Sequence, residues 1–408
     1  MRILYLVHSF QHPSMRGSTR HYHFVRELGR RHRITLLALT RTDIAPEVMA
    51  EMRTLTEKIL TFRTHEESRR LPGGRLGREL QVRAAVAEMR AAFRALVAHD
   101  RYDVVLFHGK HLFPVIADCD LPIVADFCDA TSMRIGTKLQ FAAWPHKPLL
   151  WLRHRQVRRL EQGLARKTAH VSFISARDRE IVLGPKSQAT IVPNGIDHRY
   201  WRRRPEARPT QNCIIFTGVM DYAPNDDAAV HLIQDIAPLV RRAIPDLEIL
   251  VVGRDPSRRV RELASRSPGV LVTGFVDDMR PYLEKATVCV APLRYTSGMQ
   301  NKVLGALAMQ IPVVATSIVA EGLRTNGITP PVLTARNPLE FAEATVHLLR
   351  HASDRATLSM QGRRFVENNF CWRQSAEKLE RMCVEAVLAA PVAVPGRSAL
   401  GHTKEVIA

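Results

Sequence analysis

Short, unbroken apolar runs recur along this chain and alternate with longer stretches of helical periodicity. That alternation narrows the fold more than any other feature of the sequence. In the first half the runs are Arg2–Val7, Ile34–Leu39, Val104–His108, Ile123–Ala125, Val171–Ile174 and Thr190–Val192. In the second half they are Cys213–Thr217, Glu248–Val252, Val270–Val272, Val288–Ala291 and Val313–Ala315. They lack the apolar–polar alternation of a strand with one wet face, so they predict parallel strands buried on both sides. Between them, Arg20–Arg31, Arg83–His99, Leu150–Arg166, Ala228–Arg242 and Lys302–Met309 carry helical patterns. Repetition of strand, helix and strand predicts a doubly wound α/β architecture, with ligands at the carboxyl ends of the strands.

The repetition stops and restarts. His198 to Pro209 is polar, basic and proline-bearing, and a new strand begins at Cys213. This predicts two Rossmann-like, doubly wound domains facing across a cleft, residues 1–197 and 198–370, joined near 195–211. With 408 residues there is ample chain for two cores. Phe365–Leu388, which holds Trp372, predicts a closing helix, and 371–390 is expected to cross back to the first domain. Residues 391–408 contain Pro391, Pro395 and Gly396 and little apolar content, and are expected to be a disordered tail.

Composition excludes several classes. No apolar run approaches the roughly 18–20 residues that span a bilayer. Met1–Val7 reads as a buried strand and not as a signal peptide. The six cysteines form no C-x-x-C pair, which argues against a disulfide scaffold or structural zinc and for reduced thiols in a cytoplasmic protein. Charge is the unusual quantity: 59 basic against 40 acidic residues, a net +19, with only ten lysines among the basic ones. Arginine-favouring codon usage is one reading; attraction to anionic lipids or phosphorylated substrates is the other. Nucleic acid is not an expected partner, since aromatic residues make up only 6% and show no basic–aromatic interleaving.

Three constellations carry chemistry. Met15-Arg16-Gly17-Ser18-Thr19-Arg20 lies between the first strand and first helix, where Gly17 lets backbone approach an anion at a helix start. A simple strand-to-helix turn is its bland alternative. His108 ends a strand and therefore points into the ligand crevice, where an imidazole can act as a base or bond a sugar hydroxyl. Asp126 and Asp129 end the next strand and are expected to face the same crevice, or else to cap and turn the chain. The third runs from Ala291 to Thr316. Ser297, Gly298, Met299 and Gln300 form its loop, and the free N–H groups of the following helix would cradle a diphosphate, with Arg294 and Lys302 supplying positive charge.

This last segment, with Ile191-Val192-Pro193-Asn194-Gly195-Ile196-Asp197, resembles the GT-B glycosyltransferases of family 4, the group 1 sugar transferases. Met220-Asp221-Tyr222-Ala223-Pro224-Asn225 and Asn301-Lys302-Val303-Leu304 resemble the branch typical of exopolysaccharide loci. The similarity runs to about residue 390. It implies a nucleotide-sugar donor in the C-terminal domain and an acceptor in the N-terminal one. It further implies that Gly17 lies near the donor phosphates, His108 contacts the transferred sugar, Val276 meets the base and Lys302 meets the diphosphate. The family transfers sugars with retention, without a metal and with no cofactor beyond the nucleotide-sugar. Its paired glutamates fall here on Ser297 and Gly305, and the second usually grips the ribose; its first-loop basic pair is replaced by Val219 and Asn225. A degenerate transferase serving as a binding or assembly subunit, and a nucleotide-sugar epimerase, are the alternative functions. Arg153, Arg155, Arg158, Arg159, Arg166 and Lys167 share a helical stretch with Leu149, Leu150, Trp151 and Leu152. This suits peripheral contact with anionic lipid on the inner face of the cytoplasmic membrane, where a polyprenol-linked or polysaccharide acceptor would sit. A solvated basic face is the alternative.

Overall fold

In the computed structural model, residues 1–15, 19–64, 74–142 and 144–390 are described; Gly17 and the tail 391–408 lie outside them. The apolar runs of the first half pair into one seven-stranded sheet. Its spatial order is β3 (Lys58–Arg63), β2 (Arg33–Thr40), β1 (Arg2–Val7), β4 (Val104–His108), β5 (Ile123–Asp126), β6 (His170–Phe173) and β7 (Thr190–Ile191). The second sheet has six strands, in the order β10 (Val270–Gly274), β9 (Glu248–Val252), β8 (Cys213–Thr217), β11 (Val288–Ala291), β12 (Val313–Thr316) and β13 (Leu333–Ala335). Every neighbouring pair is parallel. Most of these strands are buried at all residues or all but one, which is why they read as continuous apolar runs.

Two strands escape the sequence reading. Lys58–Arg63 is an edge strand whose charged ends stay exposed, and Leu333–Ala335 is a three-residue edge strand after Pro330 and Pro331. Neither offers a long apolar run. The expected helix Phe365–Leu388 is two helices, Ala352–Asn369 and Trp372–Ala389. Phe370 leaves the helical conformation, and its carbonyl accepts from the Ile196 N–H at 2.9 Å. The chain crosses itself there: a Cβ on Gly195 would lie 2.3 Å from the Trp372 nitrogen, so only glycine permits the approach.

Beyond the crossing, Trp372, Ala376, Leu379, Cys383 and Ala386 form one apolar stripe. The stripe joins the core around Ile3, Tyr5 and Phe24, so the last helix packs on the first sheet. Arg363 secures the linker by donating to the carbonyls of Trp201 (2.9 Å), Ala308 (2.6 Å) and His198 (3.2 Å). Among the described residues no helix is long and apolar enough to cross a membrane. All six cysteines are free thiols.

Candidate active site

Strand order reverses between β1 and β4 in one sheet and between β8 and β11 in the other. Successive connections leave such a point on opposite faces, which opens a crevice at the carboxyl ends. Val7 is in register with His108, so His8 and His108 emerge side by side from the first sheet. From the second sheet emerge Gly218 after β8 and Pro292-Leu293 after β11.

His108 is buried, and its Nδ1–H donates to the Asp126 carbonyl at 2.7 Å. That bond sets the tautomer and leaves Nε2 as a lone pair. The ring lies 4.1 Å from that of His21 and 4.8 Å from that of His8, between centroids. Gly109 (φ +105°) makes room for this packing, because a Cβ there would stand 2.5 Å from the Cβ of His8. Burial lowers the pKa of all three imidazoles, to about 2 for His8, where His108 and His111 add repulsion. All three are neutral at physiological pH.

Asp126 does not face the crevice. It is fully buried, and Arg20 Nε and Nη2 donate to its two carboxylate oxygens at 2.8 and 2.9 Å while Ser172 donates at 2.9 Å. A charged carboxylate can be buried this deeply only with such a partner, so Asp126 is a strut beneath the site. Arg20 also donates to the Val192 carbonyl and to Asn194 Oδ1, each at 2.9 Å. Asn194 in turn donates to Asn301 Oδ1 of the second domain at 2.9 Å.

Asp129 does lie between the domains, accepting from the Ser297 hydroxyl at 3.1 Å. Beside it Asp178, a buried N-terminal-domain carboxylate, accepts from the Gly298 N–H at 3.3 Å. The Ser297–Gly298 loop therefore rests on two carboxylates of the first domain. Lys110, next after Gly109, donates to the Asp129 carbonyl at 3.0 Å and pairs with the buried Glu161 of helix Lys147–Lys167.

Lys302 stands in the first turn of helix Asn301–Ala308. Its ammonium donates to Asn225 Oδ1, lies 4.7 Å from the centre of the Phe216 ring, and would be 3.1 Å from a Cβ on Gly218. Burial lowers its pKa to about 7. Arg294, expected beside Lys302, instead pairs with Asp227, Nε to Oδ2 at 2.9 Å. It lines a separate cavity of about 700 Å³ with His231, Asp235, Thr316, Ser317 and Asn337. The Met299 side chain belongs to the second core, and Gln300 turns inward to donate to the Thr296 hydroxyl at 2.6 Å. Only their backbone groups remain for a ligand. Val276 follows β10 and is half-buried against the second core. Gly305 faces the indole of Trp201, whose nearest atom is 3.4 Å from a Cβ position.

Sequence reasoning passed over His8 and His21, and gave no role of their own to Arg20 and Asn194, which it held only as parts of longer motifs. His8 carried the same positional signal as His108, the end of a strand at the switch point. A buried arginine such as Arg20 leaves no mark in a chain so rich in arginine.

A family model described as "Glycosyltransferase Family 4" matches residues 17–200, and one described as "Glycosyl transferases group 1" matches residues 211–351. Each match falls on one of the two sheets, and the chain is a glycosyltransferase with the GT-B fold. No curated protein sequence matches it significantly. Among solved structures it is similar to HepE of Anabaena in complex with UDP and glucose, at 14% identity and TM-score 0.64, over 94% of this chain and 100% of that one. Sucrose-phosphate synthase of Thermosynechococcus elongatus is 18% identical with TM-score 0.69, over 95% of this chain and 99% of that one. TarM of S. aureus, in complex with fondaparinux, α-GlcNAc-glycerol and UDP, is 11% identical with TM-score 0.66, over 94% and 99%. At these identities the likeness is one of fold.

Proposed function

We propose that this glycosyltransferase moves a sugar from a nucleotide-diphosphate donor to a hydroxyl acceptor, with retention and with no metal in the transfer step. The observation that carries the reading is the Lys302 ammonium, buried at the carboxyl end of β8 against Gly218 and Asn225. A buried cation beside the free N–H groups of a helix start is suited to a diphosphate, where negative charge grows as the leaving oxygen departs. Asn225, which receives the Lys302 ammonium, closes the Met220–Asn225 signature. The UDP in the HepE and TarM structures supports a nucleotide diphosphate as leaving group.

His108 presents Nε2 on the opposite wall and accepts from a hydroxyl of the transferred sugar. Retention in a single displacement requires the acceptor hydroxyl to approach from the face that the diphosphate leaves. The departing phosphate oxygen then takes the acceptor proton, and Lys302 holds the remaining charge. Without a glutamate at Gly305, the ribose is left to the Ser297 oxygen, which can accept while its hydroxyl donates to Asp129, and to loop amides other than the Gly298 N–H that Asp178 holds.

The acceptor is a polyprenol-linked saccharide or a polysaccharide of cell-surface or exopolysaccharide synthesis. Helix Lys147–Lys167 supports this: it buries only Glu161 and Leu164, and exposes Leu149 (69%), Trp151 and Leu152 with its arginines. Trp151, Arg155, Arg158 and Arg159 line a cavity of about 440 Å³. A basic face with exposed Trp and Leu fits the surface of an anionic bilayer.

The test is proton NMR of the product from an α-linked donor. An α-linked product, and a donor sugar left unepimerised when acceptor is withheld, are expected. An inverted product overturns retention, and epimerised donor overturns transfer.

A further inference from the structure

Beside His108 stand two histidines, His8 and His21, to which the transfer step gives no part. One ring nitrogen each from His8, His21 and His108 falls within 4.8 Å of the other two. We propose that these three histidines bind a divalent transition-metal ion of the zinc, cobalt or nickel class, and that the ion blocks transfer by occupying His108. The metal site stands on its own geometry; the block rests on the role given to His108 above.

The outer nitrogens are already committed. His108 donates Nδ1–H to the Asp126 carbonyl at 2.7 Å, and His21 Nδ1 shares a 2.6 Å hydrogen bond with the Tyr5 hydroxyl. A backbone carbonyl behind a ligating imidazole is the support that fixes ring orientation at metal centres. Nε2 is then the remaining ligand atom of His21 and of His108. His8 Nδ1 is buried with no hydrogen-bond partner, so this ring carries an unmet polar group into the cluster. Three convergent neutral imidazoles repel a proton on any one of them, but each can give a lone pair to a metal.

The donor set selects the ion. Three imidazoles and no carboxylate suit zinc and its neighbours and not magnesium or calcium. Zinc–nitrogen bonds of about 2.0–2.1 Å place tetrahedral ligands roughly 3.3 Å apart, so ring nitrogens now within 4.8 Å of one another must draw together by up to about 1.5 Å. His8 is the most exposed of the three, so the adjustment falls chiefly to its ring. Asp126 and Arg20 cancel one another beneath the cluster, and Arg41 is the other charge that acts on His8. Three protein ligands leave one position open to the crevice.

The experiment is Co²⁺ and Zn²⁺ titration of the full chain by equilibrium dialysis and visible absorption, with His8→Ala and Tyr5→Phe alongside. One ion per wild-type chain, with the intense absorption of four-coordinate cobalt, is expected. His8→Ala should weaken binding at least 100-fold and Tyr5→Phe at least 10-fold, the latter through a near-isosteric change that keeps the fold. Wild-type binding that is absent, or unchanged in both variants, overturns the site. Zn²⁺ should slow transfer by wild type and not by His8→Ala, each relative to its own metal-free rate. Metal bound with transfer unaffected overturns the block and leaves the site. Donor binding without metal binding overturns the site and leaves the transferase.

Discussion

Arg20 and Asp126 form a two-pronged ion pair in which both side chains are buried, 106 residues apart in sequence. The same guanidinium holds Val192 and Asn194, and Asn194 reaches Asn301 across the cleft. One arginine thus ties the start of the first helix, the end of β5 and the interdomain joint together. Removing either partner leaves an uncompensated buried charge, at a cost of about 3–5 kcal/mol. Urea unfolding of Arg20→Met and Asp126→Asn should show losses of that order. The double variant should lose less than the sum, because the second change relieves the charge stranded by the first. Additive losses would mean the pair is not coupled.

Lys302 has a folded pKa near 7, well below its ordinary value, because burial penalises the ammonium. Between pH 7 and the unfolded value of about 10.4 the unfolded chain binds a proton the folded chain has released. This group's contribution to stability therefore rises with pH across that window. Donor affinity runs the other way, since only the ammonium attracts a diphosphate. Calorimetry from pH 6 to 9 should show wild-type donor binding weakening above pH 7, by up to about tenfold per unit, while Lys302→Met shows a flat profile. A flat wild-type profile would remove Lys302 from the donor site.

The architecture was legible because doubly buried strands announce themselves as unbroken apolar runs; β1, β4, β8, β9 and β11 fall on their expected residues. The edges were not, since Lys58–Arg63 and Leu333–Ala335 bury too little to leave that signature. Position at a strand's end located His108 and equally indicated Asp126, yet a strand's last residue can point into the sheet's own layer. Arg20 took Asp126 there, and no local pattern records a partner 106 residues away. Asp227 withdrew Arg294 in the same manner. The break at Phe370 was hidden because the helical periodicity continues on both sides of it.

Gly305 is buried in a helix beneath the Trp201 indole, with space for a methyl group in ordinary contact. Gly305→Ala should raise stability by up to about 1 kcal/mol, the helix penalty of glycine. Gly305→Glu must displace the indole and should lower the melting temperature. Thermal unfolding of both variants checks the pair of signs. A destabilised alanine variant would show that the indole leaves no room for a methyl group.

Helix Lys147–Lys167 should carry the protein onto vesicles containing anionic lipid at low salt. Its binding should weaken as ionic strength screens the arginines, and Trp151→Ala should weaken it further. Flotation with neutral and anionic vesicles measures this. A protein that stays at the bottom with anionic vesicles at low salt does not use this face for a membrane.

The most direct measurement is calorimetric titration of wild type, Lys302→Ala and Gly305→Glu with a panel of nucleotides and nucleotide-diphosphate sugars. Micromolar binding of one donor by wild type is expected, weakened in Lys302→Ala by about 1.5–3 kcal/mol, the worth of a charge-assisted contact. A wild type that binds no donor while Gly305→Glu binds one tightly would contradict catalysis by this chain. Equal donor binding by wild type and Lys302→Ala would contradict the placement of the diphosphate.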